Sequence, residues 1–188
     1  MSRLLKFKAV VLIVLFTGLA LLLNFYGPKI PVPYMPSLLY YLWEIPIVTA
    51  FVLCGVKVGF FTALTSVLVP FAVSKENPTP NLFYCSAATI GMLLGVGITK
   101  FYASKHSLKG GLVQAFMLTF SGAILRTAIV MLVFLSFLGS SPPLGFSFSE
   151  PATTITMMYR AVYDFSLALY TVPLGYIIAE AIKRHFKV

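Results

Sequence analysis

Charge is what this sequence has least of: 10% of its 188 residues are Asp, Glu, Lys or Arg, whereas 59% are hydrophobic. A soluble domain of that make-up would have no polar coat, so the composition excludes one. The mean hydropathy of +0.94 places the chain in a bilayer. Cysteine is almost missing as well. Cys54 and Cys85 fall near opposite ends of separate apolar runs, which argues against a disulfide. The two histidines, His106 and His185, stand alone in basic segments, so no metal site is expected. The chain has no Gly-x-x-x-x-Gly-Lys-Ser/Thr phosphate loop, no His-Glu-x-x-His and no Gly-x-Ser-x-Gly elbow. The expectation is a protein that is not an enzyme and holds no cofactor. Any uphill transport would need an energising partner.

What the sequence has is apolar length. A helix needs about 20 such residues to cross the hydrocarbon, and runs of that order recur at residues 5–26, 38–56, 58–74, 81–102, 112–138 and 153–182. These predict an all-α fold, a six-helix integral membrane bundle forming a single domain over residues 1–188. Pro70 and Pro173 fall inside two of the runs, where neighbouring helices can satisfy the freed carbonyls. Only Gly55-Val56-Lys57 separates the second run from the third, which predicts a tight antiparallel pair. The first run has a basic start like a secretory signal. It is too long for one and no small-residue cleavage site follows, so it reads as a helix.

Basic residues give the orientation, because Lys and Arg collect in short cytoplasmic segments. With both termini cytoplasmic, Arg3, Lys6, Lys8, Lys57, Lys100, Lys105, Lys109, Lys183, Arg184 and Lys187 lie inside, and only Lys29 and Lys75 lie outside. The net charge of +9 is therefore topology, and no nucleic-acid partner is expected. The outer loops, at 27–36, 75–80 and 139–152, are rich in Pro, Gly and Ser. That asymmetry suggests recognition from outside. The first of them, stiff and proline-spaced, leads into Tyr40, Tyr41 and Trp43, which read either as an interfacial aromatic belt or as a lid.

Away from the ends of the apolar runs three charged residues remain: Arg126, Arg160 and Asp164. A charge there costs about 2.5 kcal/mol or more unless paired or wetted, which makes these residues candidates for a site. At 1.5 Å per residue, Arg126 lies roughly 18 Å and Asp164 roughly 16 Å from the outer ends of their helices, so the two can pair. Arg160 and Asp164 are four residues apart on one helix face. The trio is either a neutralised packing contact or a binding site. Its sum of +1 would leave one guanidinium for an acidic ligand group. Tyr159 and Tyr163 flank the same face, as ring-stacking residues or as core aromatics. Glu44 sits where the first outer loop becomes helix two, either as a helix-start acid or as a ligand contact close to the depth of Arg160. Gly91 and Gly95 on helix four, and more weakly Gly59 and Ala63 on helix three, mark close helix approaches, with internal packing as the default.

The run Leu42-Trp43-Glu44-Ile45-Pro46-Ile47-Val48-Thr49-Ala50-Phe51-Val52-Leu53-Cys54-Gly55 resembles the acidic-Ile-Pro start of helix two in the S components of energy-coupling factor (ECF) vitamin transporters. The six-run layout, inward termini and proline-rich first outer loop are similar to that family too, nearest its riboflavin-binding branch. The resemblance implies an outward pocket built from the outer halves of helices four to six and capped by the first loop. It also implies a membrane T component and two cytoplasmic ATPase subunits as partners, and toppling in the membrane to release the vitamin. Two features depart from it. The Ala-x-x-x-Ala docking pattern of helix one is missing, since Ala9, Gly18 and Ala20 are not so spaced. The branch's Asn late in helix five and Asn-x-x-Lys in helix six are replaced here by Leu135 or Ser136 and by Arg160-Ala161-Val162-Tyr163. The expected function is capture of a vitamin-like solute, riboflavin or another small planar or anionic vitamin, at the cell membrane. Arg160 and Arg126 would meet its acidic group, Asp164 would orient them, and Tyr41, Trp43, Tyr159 and Tyr163 would enclose its ring, with Glu44 at the mouth. A small membrane scaffold resembling rod-shape proteins, or an intramembrane enzyme using Asp164 or Glu44, are the alternatives.

Overall fold

A computed structural model describes residues 3–73, 79–105, 111–137 and 150–186. Six helices and one two-stranded sheet follow in the order α1 (Arg3–Tyr26), β1 (Ile30–Val32), β2 (Met35–Tyr40), α2 (Glu44–Cys54), α3 (Val56–Val73), α4 (Thr79–Lys105), α5 (Leu112–Phe137) and α6 (Glu150–Phe186). The class is all-α, as the apolar runs predict. Four spans within the described helices are long and apolar enough to cross a membrane: Lys8–Tyr26, Tyr84–Lys105, Leu112–Ser136 and Ile155–His185. The loops expected at 75–80 and 139–152 lie mostly outside the described residues, as do His106, Lys109 and Lys187.

Helix two is where the expectation fails. Residues 38–40 belong to β2, paired antiparallel with β1 (Ile30 opposite Tyr40, Pro31 opposite Leu39), and α2 has only 11 residues. At 1.5 Å per residue it rises about 16 Å, roughly half the hydrocarbon thickness. The cause is local. Ile30, Val32 and Met35 each precede a proline, and the proline ring pushes the preceding residue out of the α region into extended backbone. Tyr and Leu then continue the strand, and a short apolar run does not by itself distinguish helix from strand. Pro46 sits at the third position of α2, where an N–H would have no intrahelical acceptor, so it fits the helix start.

Short as it is, α2 forms the centre of the bundle. Every residue from Glu44 to Val52 is buried, and Ile47 and Val48 pack with Met92 of α4, Leu118 of α5 and Val172 of α6. At its far end Gly55 turns the chain at φ 95°, a left-handed conformation that a side chain would strain, and α3 begins at the next residue. Lys100 of α4 reaches under that end and donates to the carbonyls of Val52 (2.8 Å) and Phe51 (3.3 Å). A cation is favourable there because these carbonyls lack intrahelical donors and carry the negative end of the helix dipole.

Glycine sets the closest approaches. A Cβ on Gly95 would collide with the carbonyl of Ser121, and one on Gly91 would lie 2.9 Å from the carbonyl of Leu125, so the Gly-x-x-x-Gly pair packs α4 on α5. Thr99 reinforces that seam by donating to Ser121 Oγ at 2.6 Å. Gly59 packs against Phe51 of α2. Both cysteines are free.

Candidate functional site

The buried charges assemble into one chain of ion pairs. Arg126 Nη1 donates to Glu44 Oε2 at 2.6 Å, Arg126 Nε to Asp164 Oδ1 at 3.2 Å, and Arg160 Nε to Asp164 Oδ2 at 3.0 Å. Thr89 Oγ1 donates to the remaining oxygen of Glu44 at 3.4 Å, and the Arg126 guanidinium lies 3.9 Å from Met92 Sδ. Four helices, α2, α4, α5 and α6, therefore meet at this point. Glu44 is 2%, Arg126 3% and Asp164 0% exposed. Arg160 alone of the four reaches the surface, its side chain 24% exposed.

The predicted Arg126–Asp164 and Arg160–Asp164 pairs are both present. The predicted surplus of +1 is not, because Glu44 joins the network and balances it. Glu44 was expected at a helix start or at the mouth of a cavity with Arg160, and it is at a helix start. Its carboxylate, however, turns inward to Arg126. The signal that could have placed it is charge parity. Two guanidiniums in an apolar bundle call for two carboxylates, and Glu44 is the acid nearest in depth to Asp164.

Around Arg160 the surroundings are aromatic. Its guanidinium carbon lies 5.3 Å from the Tyr163 ring and 5.7 Å from the Tyr84 ring, within cation–π range. The β1–β2 hairpin covers this side of α6. Val32 is fully buried against Tyr163 and Leu167, and Tyr40 stacks on Tyr163 with centroids 5.6 Å apart. Tyr163 donates to the Leu39 carbonyl at 2.7 Å and Tyr170 to the Tyr41 carbonyl at 2.7 Å. The hydroxyls of Tyr40 and Ser166 lie 2.8 Å apart. The two tyrosine hydroxyls thus satisfy backbone carbonyls in β2 and just beyond it. Nearer the surface Tyr34 stacks on Tyr159 at 5.9 Å, both 40% exposed.

The aromatic enclosure expected from Tyr41, Trp43, Tyr159 and Tyr163 is not assembled. Trp43 is 8% exposed and belongs to the main core with Ile47 and Val48, because the start of α2 is sunk in the bundle. Tyr41 faces the rim, where Lys29 Nζ lies 5.9 Å from its ring centroid. Tyr159 is at the surface and Tyr163 is buried. Missed were Tyr84 and Tyr170, and also Thr89 and Met92, which share one face of α4, whereas Tyr40 was read only as belt or lid; a single Tyr or Thr in an apolar helix carries no local mark of such a role. A groove of about 40 Å³ between α3 and α4 includes Thr89 in its lining. That is far below the roughly 300 Å³ or more of a typical small-molecule site. Among the described residues no His, Cys, Asp and Glu cluster could hold a metal ion.

Comparison with known proteins adds no relative: no family model, no curated protein and no solved structure matches the chain.

Proposed function

We propose that the protein is a six-helix, multi-pass subunit of the cell membrane, with both termini cytoplasmic, that captures a small vitamin-like solute from outside. This is the role of an S component in an ECF transporter. The observation that carries the reading is Arg160: a guanidinium at the edge of a buried ion-pair network, held by Asp164, flanked by Tyr84 and Tyr163, the latter packed against a hairpin. Such a group offers a planar fork of donors beside aromatic faces, which suits a flat heterocycle with acceptors on its edge.

The roles divide by exposure. Arg160 contacts the solute, and Tyr159 with Tyr34 offers it a ring face at the mouth. Asp164, Arg126 and Glu44 hold Arg160 in place from behind. Tyr41 lies at the rim, and Trp43 anchors the α2 start beneath it. Riboflavin is the solute suggested by the nearest branch of the resemblance. A membrane T component and two cytoplasmic ATPase subunits would supply the energy, since the sequence carries no phosphate loop of its own.

The test is binding to the purified full-length protein, beginning with native mass spectrometry of fresh preparations for a retained small molecule. Arg160→Ala is expected to abolish retention and Asp164→Ala to weaken it at least tenfold. Wild-type retention in both variants would sink the site. One observation favours a second reading, a structural membrane scaffold: the network is neutral and self-satisfied, as a packing contact would be. A scaffold would retain no solute, and its Arg160→Ala variant would lose association with a morphogenetic partner instead.

A further inference from the structure

Resting on the binding role proposed above and narrowing its substrate class, we infer that the solute carries no net charge. It is a neutral or zwitterionic planar compound and not an anion. Two guanidiniums and two carboxylates meet in the network, and their formal charges cancel. Each carboxylate oxygen is already engaged: Glu44 Oε1 by Thr89 and Oε2 by Arg126, Asp164 Oδ1 by Arg126 and Oδ2 by Arg160. Three of the four side chains are at most 3% exposed, so a charge left unpaired among them is poorly screened, and only Arg160 is reached by water.

An arriving anion has two ways to bind, and both are unfavourable. It can add to Arg160 with the Asp164 pair intact, which sets a second anion on a guanidinium already paired with a fully buried carboxylate and brings the sum to −1. Alternatively it can take Arg160 away from Asp164. Arg126 would then serve as sole cation to both Asp164 and Glu44, leaving one carboxylate short of a counter-ion. A neutral ring avoids both outcomes, because carbonyl or ring-nitrogen acceptors can bond the guanidinium fork without changing the sum. A zwitterion does the same if its two ends stay close. Lys29 supplies no compensation within the network, since its ammonium lies at the rim over Tyr41.

The test titrates the purified full-length protein with pairs of probes that share a ring and differ in charge: riboflavin against flavin mononucleotide, and nicotinamide against nicotinate. The uncharged member of a bound pair is expected to bind at least about tenfold tighter, a difference of about 1.4 kcal/mol. Asp164→Asn raises the network's charge to +1 and should shrink or reverse that gap. The double variant Glu44→Gln with Arg126→Gln keeps the sum at zero and should preserve it, which separates charge from mere disruption of folding. Equal or tighter binding of the anionic member to the wild type would overturn the inference while leaving the binding role intact. Should none of the four probes bind, the small molecule retained on purification decides: an uncharged one upholds the inference and an anion overturns it. If nothing is retained either, the binding role itself falls and the inference falls with it.

Discussion

The two ends of α2 are both held by charge, and they are held differently. At the amino end Glu44 is buried and joined to Arg126, and through it to Asp164 and Arg160. At the carboxyl end a half-buried Lys100 donates to two backbone carbonyls. Both charges suit the helix dipole. Their surroundings decide what each is worth. Removing one member of the network strands another buried charge, whereas removing Lys100 leaves only carbonyls near the helix end. The amino end is thus a cooperative unit of four helices, and the carboxyl end is a local cap.

The sharpest way to break that contrast is Arg126→Ala, which leaves Glu44 and Asp164 buried without their shared cation. We expect a loss of about 3–5 kcal/mol, read as a large fall in unfolding temperature in detergent or as failure to accumulate. A variant as stable as the wild type would mean that the network is not the structural centre of its end. Next comes Gly95→Val, whose side chain must enter the space of the Ser121 carbonyl. About 1–3 kcal/mol is expected from overpacking, and an unchanged melting temperature would show that α4 and α5 can separate freely.

Lys100→Met should cost less, about 1–2 kcal/mol for the lost charged hydrogen bonds. It should also leave any solute binding unaffected, because the network lies at the other end of α2. Reduced binding in that variant would contradict the division between a cap and a site. The smallest effect is expected from Tyr170→Phe, which removes one donor to the Tyr41 carbonyl, worth about 0.5–1.5 kcal/mol. Hydrogen exchange should rise in residues 30–42 and not in α4. A uniform rise would indicate that the hairpin is not held through α6.

The reading of individual elements shows where sequence reasoning had purchase. The long apolar runs became α1, α4, α5 and α6 because a helix of that length satisfies its own backbone and leaves its apolar surface outward. The same reasoning stretched helix two over residues 38–43, where an apolar run looked continuous. The dihedral restriction from Pro31, Pro33 and Pro36, visible in the sequence, biases the residues before them to extended backbone and so starts the hairpin, whose second strand runs on to Tyr40. Of the site, the Arg126–Asp164 pairing could be counted from helix rise alone, and Arg160–Asp164 from spacing on one helix.

The rest required the packed structure. Glu44 and Arg126 stand 82 positions apart, and whether they meet depends on how α2 and α5 are rotated about their axes. The setting of α2 is fixed by close contacts such as that of Gly175 in α6 with Val48, where a Cβ would lie 2.7 Å from the valine side chain. The burial of Trp43 and the docking of the hairpin on tyrosines of α6 depend on the same packing. By itself, then, the sequence determined the apolar helices, the cost of charges among them and the backbone bias around each proline, because these act within a few residues. Only the tertiary structure decided that the charges cancel, because neutrality belongs to side chains that distant helices bring to one point.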